Sequence, residues 1–267
     1  MDRNMLPDTK SWFELGEASR NSYRLSDHVV DMRRQEMAAK AVELKAQPQS
    51  LIVDMAKTAL IIIDMQNDFC HPEGWIGGMG IDTAPARSLA LPINAVTKSL
   101  RANNVPVIWV RWGVRPDKHN LSPSTQHPFN PNGMAPGLSG TLQSSVRTYN
   151  VLQKGSWGAE IIADLTQGLD DVYVDKHRIS GFWDTPLDSI LRNMGIKTVM
   201  FAGVNADHCV LGTLMDANFH GYDTILLEDC TATTSPDFCL QATYHNVRFC
   251  FGFTVTSSDV VKSLASA

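Results

Sequence analysis

Three residues of this chain bring together a nucleophile, a cation and a carboxylate, and each follows an apolar run. Asp64 closes the run in IIIDMQNDF, Lys176 follows VYVD at the head of DKHRISGF, and Cys209 ends TVMFAGVNADHC. Cys209 precedes Val210, Leu211, Leu214 and Met215, which recur at helical spacing. Its sulfur is therefore expected near a helix N-terminus, where unpaired N–H groups and the helix dipole favour a thiolate. A neighbouring lysine ammonium would lower the thiol pKa further, while a carboxylate accepts the thiol proton and later activates water. The same helix start presents backbone N–H groups to a tetrahedral oxyanion, an interaction that often contributes about 3 kcal/mol to lowering the barrier.

These residues meet only if the elements carrying them lie side by side. From Thr58 onward, short apolar runs alternate with helical lengths: 59–63, 105–110, 172–174, 198–202 and 224–227. The runs are continuous rather than alternating, as expected of parallel strands covered on both faces. Helix candidates lie near 85–103, 185–194, 209–220 and 236–247, so the pattern predicts a three-layer α/β/α domain with a mostly parallel sheet. In such sheets ligands bind beyond the carboxyl ends of the strands, where all three residues fall. Asp68, four residues after Asp64, reads as a helix-start or loop residue. Residues 113–150 are rich in Gly, Pro, Ser and Asn and too long for a plain connector, so they are expected to shape a site or an interface. Residues 1–55 are more polar and read as an N-terminal arm, partly helical, with Ser26 or Asp27 capping a helix from His28 to about Ala46; residues 56–267 form the main domain.

The 267 residues, 43% apolar, suffice for an extensive core. A net charge of -5 with no basic stripe argues against nucleic acid as a partner. No apolar stretch is long enough to span a membrane and no secretory leader opens the chain, so a cytoplasmic location is expected. Five cysteines without a CxxC pair suggest neither a disulfide framework nor a zinc ribbon.

Other chemistries fit less well. His208 adjoins Cys209 and His71 adjoins Cys70, but neighbours on a strand or helix point apart, and no HxH or HExxH spacing occurs; no metal is expected. A papain-like Cys–His enzyme lacks its local signature. The glycines at 77–80 and 137–140 do not have the form of a phosphate cradle, and no cofactor is expected. Phe69, Trp75, Trp112, Phe182 and Trp183 are candidate pocket walls, with plain core packing as the competing reading. Arg178 is a candidate for holding a substrate carboxylate or carbonyl through its planar fork, against a surface ion pair. Gln66, with Asn67 and Asp68, is a candidate for positioning substrate amides. A binding or scaffold protein that kept the fold and lost the chemistry is the alternative from another class.

The ordered set IIIDMQNDF, VDKHRISGF and GVNADHCV closely resembles the isochorismatase-like cysteine hydrolase superfamily over about residues 58–257. The resemblance implies a Rossmann-like, six-stranded sheet, with Asp64 as general base, Lys176 as support and Cys209 as nucleophile. It implies a cis bond at Val204–Asn205 and an oxyanion hole from the N–H groups of Asn205 and Cys209. KGSWGAEIIADL and SGFWDTPLDSILRNMGI look most like ureidoacrylate amidohydrolases, whose relatives cleave biuret, triuret or N-carbamoyl amino acids. Ile179, and Arg111 with Trp112, depart from that subgroup, so amidase chemistry transfers more safely than substrate. A small ureido or amide substrate and a homo-oligomer, often a tetramer, are also implied.

Overall fold

A computed structural model of the chain describes residues 12–17, 20–34, 36–144 and 146–266. The central sheet has six strands: β1 (Thr58–Ile63), β2 (Val107–Trp112), β3 (Val172–Lys176), β4 (Thr198–Gly203), β5 (Asp223–Thr231) and β6 (Phe253–Val255). They lie in the order β3-β2-β1-β4-β5-β6, and every adjacent pair is parallel. The order reverses between β1 and β4, which opens a crevice beyond their carboxyl ends.

The continuous apolar runs have a direct cause in the layering. In β1, Leu60 and Ile62 enter one buried cluster while Ala59, Ile61 and Ile63 enter the other. In β2 and β4 the same split separates Val107 and Trp109 from Ile108 and Val110, and Met200 and Ala202 from Val199 and Phe201. Helices α1 (Ala90–Ala102) and α5 (Ser257–Ala265) cover the first face through Ile93, Val96, Leu100, Val260 and Leu264. Helices α2 (Leu187–Asn193) and α3 (Leu211–Phe219) cover the second through Leu187, Leu191, Leu214 and Ala217. Helix α4 (Asp237–Asn246) follows β5 and buries only Thr243. The α/β/α architecture is thus as expected, with a sixth strand that is only three residues long and pairs Phe253–Val255 with Ile225–Leu227.

The helix expected over His28–Ala46 does not form. None of its described residues is helical, and Val30–Asp31 and Ala41–Leu44 are strands. Ser26 does accept the Val29 N–H on its hydroxyl at 3.1 Å, the bond an N-cap would make, but here it closes a turn between two antiparallel strands. Val42 and Leu44 are buried between exposed neighbours, a period of two that belongs to a strand. They join the core cluster of β1, and Gln47 exchanges two backbone bonds of 2.9 Å with Thr254 of β6.

Residues 113–150 carry short elements of their own, a turn of helix at Pro123–Gln126 and a hairpin pairing Thr141–Gln143 with Thr148–Asn150. No helix among the described residues is long and apolar enough to cross a membrane.

Candidate active site

Asp64 is the first residue past β1 and sits at φ 53°, a left-handed conformation that aspartate tolerates better than most side chains. Its N–H donates to Val110 O of β2 at 2.9 Å, and its carbonyl accepts from Gln66 N–H at 2.7 Å, so the chain reverses sharply here. Lys176 ends β3, two strands away. Its fully buried side chain spans the end of β2, with Nζ 4.3 Å from the centre of the Trp112 ring. The ammonium then lies 2.9 Å from Asp64 Oδ2 and 3.3 Å from Cys209 Sγ, and donates to Arg178 O at 3.1 Å.

Cys209 belongs to a π-helical turn, Ala206–Val210, that leads from β4 into α3. The N–H groups of His208 and Val210 both donate to Asn205 O at 3.1 Å, and Ala206 N–H donates to Ala232 O at 2.9 Å. Among the described residues, neither the Asn205 N–H nor the Cys209 N–H donates to a carbonyl outside this turn. The Val204–Asn205 peptide bond is cis. Gly203, at φ 110°, lets this turn approach β1: a Cβ there would stand 2.0 Å from Ile63 O.

Burial pushes the Asp64 carboxyl above its ordinary value, and the Lys176 charge pulls against it. Burial also pushes the Cys209 thiol up to about 12; the Asp64 charge adds to the rise and Lys176 opposes it. The expectation of a lowered thiol pKa is therefore corrected. A helix start and one lysine do not outweigh desolvation plus an adjacent carboxylate, so the thiol is pushed up rather than down.

The other expected contacts divide. Gln66 is fully buried and its amide is bound to backbone: Nε2 donates to Trp112 O at 2.8 Å and Ala159 O at 2.7 Å, and Oε1 accepts from Trp112 N–H at 2.8 Å. It fastens β2 and the segment near 159 to the Asp64 turn rather than offering its amide to a substrate. Asn67 does the same, donating to Trp157 O at 2.8 Å. Phe69 packs in the core, and Phe182 stacks at a tilt against His220 and Tyr222. Arg178 Nε meets the half-exposed Asp184 at 2.6 Å, the surface pair weighed for it, while its backbone carbonyl serves Lys176. Trp112 lies directly under the lysine.

Asp68 lies in the first turn of a short helix, Asn67–Cys70, the helix start expected of it, but its carboxylate reaches well beyond that turn. It is fully buried, and its carboxylate accepts from Trp75 N–H at 3.0 Å, Tyr149 Oη at 2.5 Å and Leu152 N–H at 2.7 Å. The end of the 113–150 insertion is thereby clamped onto the segment after Asp64. Burial nevertheless raises the Asp68 pKa, with the three donors pulling it back. Nothing local in the sequence links Asp68 to Tyr149, eighty-one positions away.

The isochorismatase domain model matches residues 58–259. A cysteine hydrolase from Pseudomonas syringae pv. phaseolicola 1448A is 25% identical, with 86% of this chain and 99% of that one covered and a TM-score of 0.66. N-carbamoylsarcosine amidase from Thermoplasma acidophilum is 28% identical, with 75% and 96% covered and a TM-score of 0.56. Pyrazinamidase of Pyrococcus horikoshii, solved in complex with zinc, shares the fold at 23% identity, 75% and 99% coverage and a TM-score of 0.58. Among the described residues of this chain, no three His, Cys, Asp or Glu side chains group as a metal ion would need.

Proposed function

The chain belongs to the isochorismatase family of hydrolases, and from that premise we propose that it is a cysteine-dependent amidohydrolase cleaving a C–N bond of a small ureido or carbamoyl compound. The observation that carries this reading is the single buried ammonium of Lys176 in contact with both a carboxylate and a thiol. Such a set supplies nucleophile, base and electrostatic support without water between them. The similarity to an N-carbamoylsarcosine amidase favours a carbamoyl or ureido carbonyl as the group attacked. The likeness of KGSWGAEIIADL and SGFWDTPLDSILRNMGI to ureidoacrylate amidohydrolases favours a ureido acid, with biuret, triuret or an N-carbamoyl amino acid as the neighbouring choices.

In the proposed reaction Cys209 Sγ attacks the carbonyl carbon as its proton passes to Asp64. The Asn205 and Cys209 N–H groups hold the oxyanion. The C–N bond breaks as Asp64 returns the proton to the leaving nitrogen, releasing ammonia and a thioester. Asp64 then takes a proton from water, which attacks the thioester; the sulfur leaves and is reprotonated. The product is a carboxylate, or a carbamate that loses carbon dioxide.

The test is ammonia release from ureidoacrylate, biuret, triuret, N-carbamoyl amino acids and nicotinamide, beside pyruvate release from isochorismate, with Cys209→Ala as control. A ureido or carbamoyl substrate is expected to turn over, and the variant to lose about three orders of magnitude or more in kcat. Preference for isochorismate, a vinyl ether, would sink the amidase reading, and full turnover by Cys209→Ala would sink the covalent mechanism. A homo-oligomer completes the proposal, supported by exposed aromatic side chains on α4 (Phe238) and on the π-helical turn that follows it (Phe249).

A further inference from the structure

Thr213, on the first turn of α3, is fully buried, and the proposed mechanism gives it no part. Its hydroxyl donates to Cys209 O at 2.6 Å and accepts from Gly181 N–H at 3.0 Å. A buried helical threonine commonly returns its proton to the carbonyl four residues back, and that bond alone would satisfy it. The second bond needs another reason. Gly181 lies thirty-two positions away, in the loop that follows Lys176, and its amide can only donate, so the hydroxyl proton is left pointing at Cys209. Gly181 comes this near because it has no side chain: a Cβ there would stand 2.9 Å from Val110 Cγ1 and 3.4 Å from Thr213 Cγ2. The Gly181 carbonyl is held as well, by the Thr185 hydroxyl, which in turn accepts from Leu187 N–H at 3.2 Å.

Cys209 O and Val210 N–H belong to one peptide unit, and Val210 N–H is tied to Asn205 O at 3.1 Å. The peptide on the carboxyl side of Cys209 is thus held at both ends. Holding it fixes where the Cα–Cβ bond points, and with it the position of Sγ, 3.3 Å from the Lys176 ammonium. That ammonium donates to Arg178 O, three residues before Gly181, so one loop carries both a partner of the thiol and an anchor of its backbone. We propose that Thr213 is a positioning residue: its hydroxyl ties the Cys209 peptide to the loop after Lys176 and keeps the sulfur in register with the ammonium and the oxyanion hole. A displacement of about 1 Å at a reacting centre can cost roughly a hundred-fold in rate. The assignment rests on Cys209 being the nucleophile.

Thr213→Val keeps the shape and removes the hydroxyl, whereas Thr213→Ser keeps the hydroxyl and removes the methyl group. The probe is 4-nitrophenyl acetate. Cys209 Sγ takes the acetyl group, the ester C–O bond breaks and 4-nitrophenolate leaves, giving a burst whose rate reports acylation; Cys209→Ala sets the background. Both variants are measured well below their melting temperatures. The burst rate of Thr213→Val is expected to fall about ten-fold or more at unchanged amplitude, and that of Thr213→Ser to stay within about three-fold of the parent. Packing alone predicts the reverse order, since valine fills the site and serine leaves a hole. A folded Thr213→Val protein with the parent's burst rate overturns the proposal, as does a Thr213→Ser protein as slow as Thr213→Val. Should Thr213→Val fail to fold, Thr213→Ser against Thr213→Ala makes the same comparison in a smaller side chain, and equal burst rates overturn the proposal. A parent protein without a Cys209-dependent burst also overturns it, because the nucleophile on which it rests is gone. The burst needs no ureido compound, so the amidase reading is decided separately by the ammonia screen.

Discussion

A carboxylate, an ammonium and a thiol packed without solvent hold their charges only as a set. Lys176→Met leaves Asp64 buried without its counter-ion, and the expected loss of unfolding free energy is about 3–5 kcal/mol, together with turnover. Asp64→Asn combined with Lys176→Met removes both charges, so part of that stability should return while activity stays lost. Urea midpoints of the single and double variants check this, and a double variant no more stable than Lys176→Met would show that the pair is not what holds the site. Protonation follows from the same burial. Asp64 accepts a proton only when ionised, and its folded pKa is raised. The acidic limb of kcat/KM should therefore rise with pH and lie above the ordinary carboxylate range. Asp64, Lys176 and Cys209 were legible because each side chain is chemically distinctive and each ends an apolar run. The upward push on the thiol was not legible, since desolvation depends on atoms far away in sequence.

At the scale of elements, the site depends on two close approaches. Gly203 brings the end of β4 against β1, and Gly203→Ala places a methyl group 2.0 Å from Ile63 O at a positive φ. The Cys209 turn must then move relative to Asp64. Loss of at least 2 kcal/mol and of most activity is expected, checked by thermal melting and ammonia release. Asp68 sets the second approach, and Asp68→Ala strands three buried donors, at about 1–3 kcal/mol each. Limited proteolysis should then cut within 113–150 while the central sheet persists; uncut protein with normal KM would remove Asp68 from any part in shaping the site. Continuous runs such as Ala59–Ile63 identified strands because both faces of the sheet are covered. The same logic missed β6, where three residues are too few to show a pattern, and Ser26 misled because turns and helix starts use one hydrogen bond.

At the scale of the whole molecule, one face has no counterpart within the described chain. Helix α4 continues into a π-helical turn, Val247–Phe251, and Phe238, His245 and Phe249 recur at i, i+7 and i+11. Phe238 is 71% exposed and Phe249 80%, and His245 stacks on Phe249 at 5.8 Å. An aromatic stripe of this length is costly to leave in water, and a second copy of the chain presenting the same stripe would cover it by two-fold symmetry. Light scattering on a sizing column should therefore give a multiple of the single-chain mass. Phe249→Glu puts a charge into the middle of such a contact without touching the Asp64–Lys176–Cys209 cluster, and it should shift the mass to a single chain. A parent protein that already runs as a single chain would leave the stripe unpaired and end the oligomer proposal.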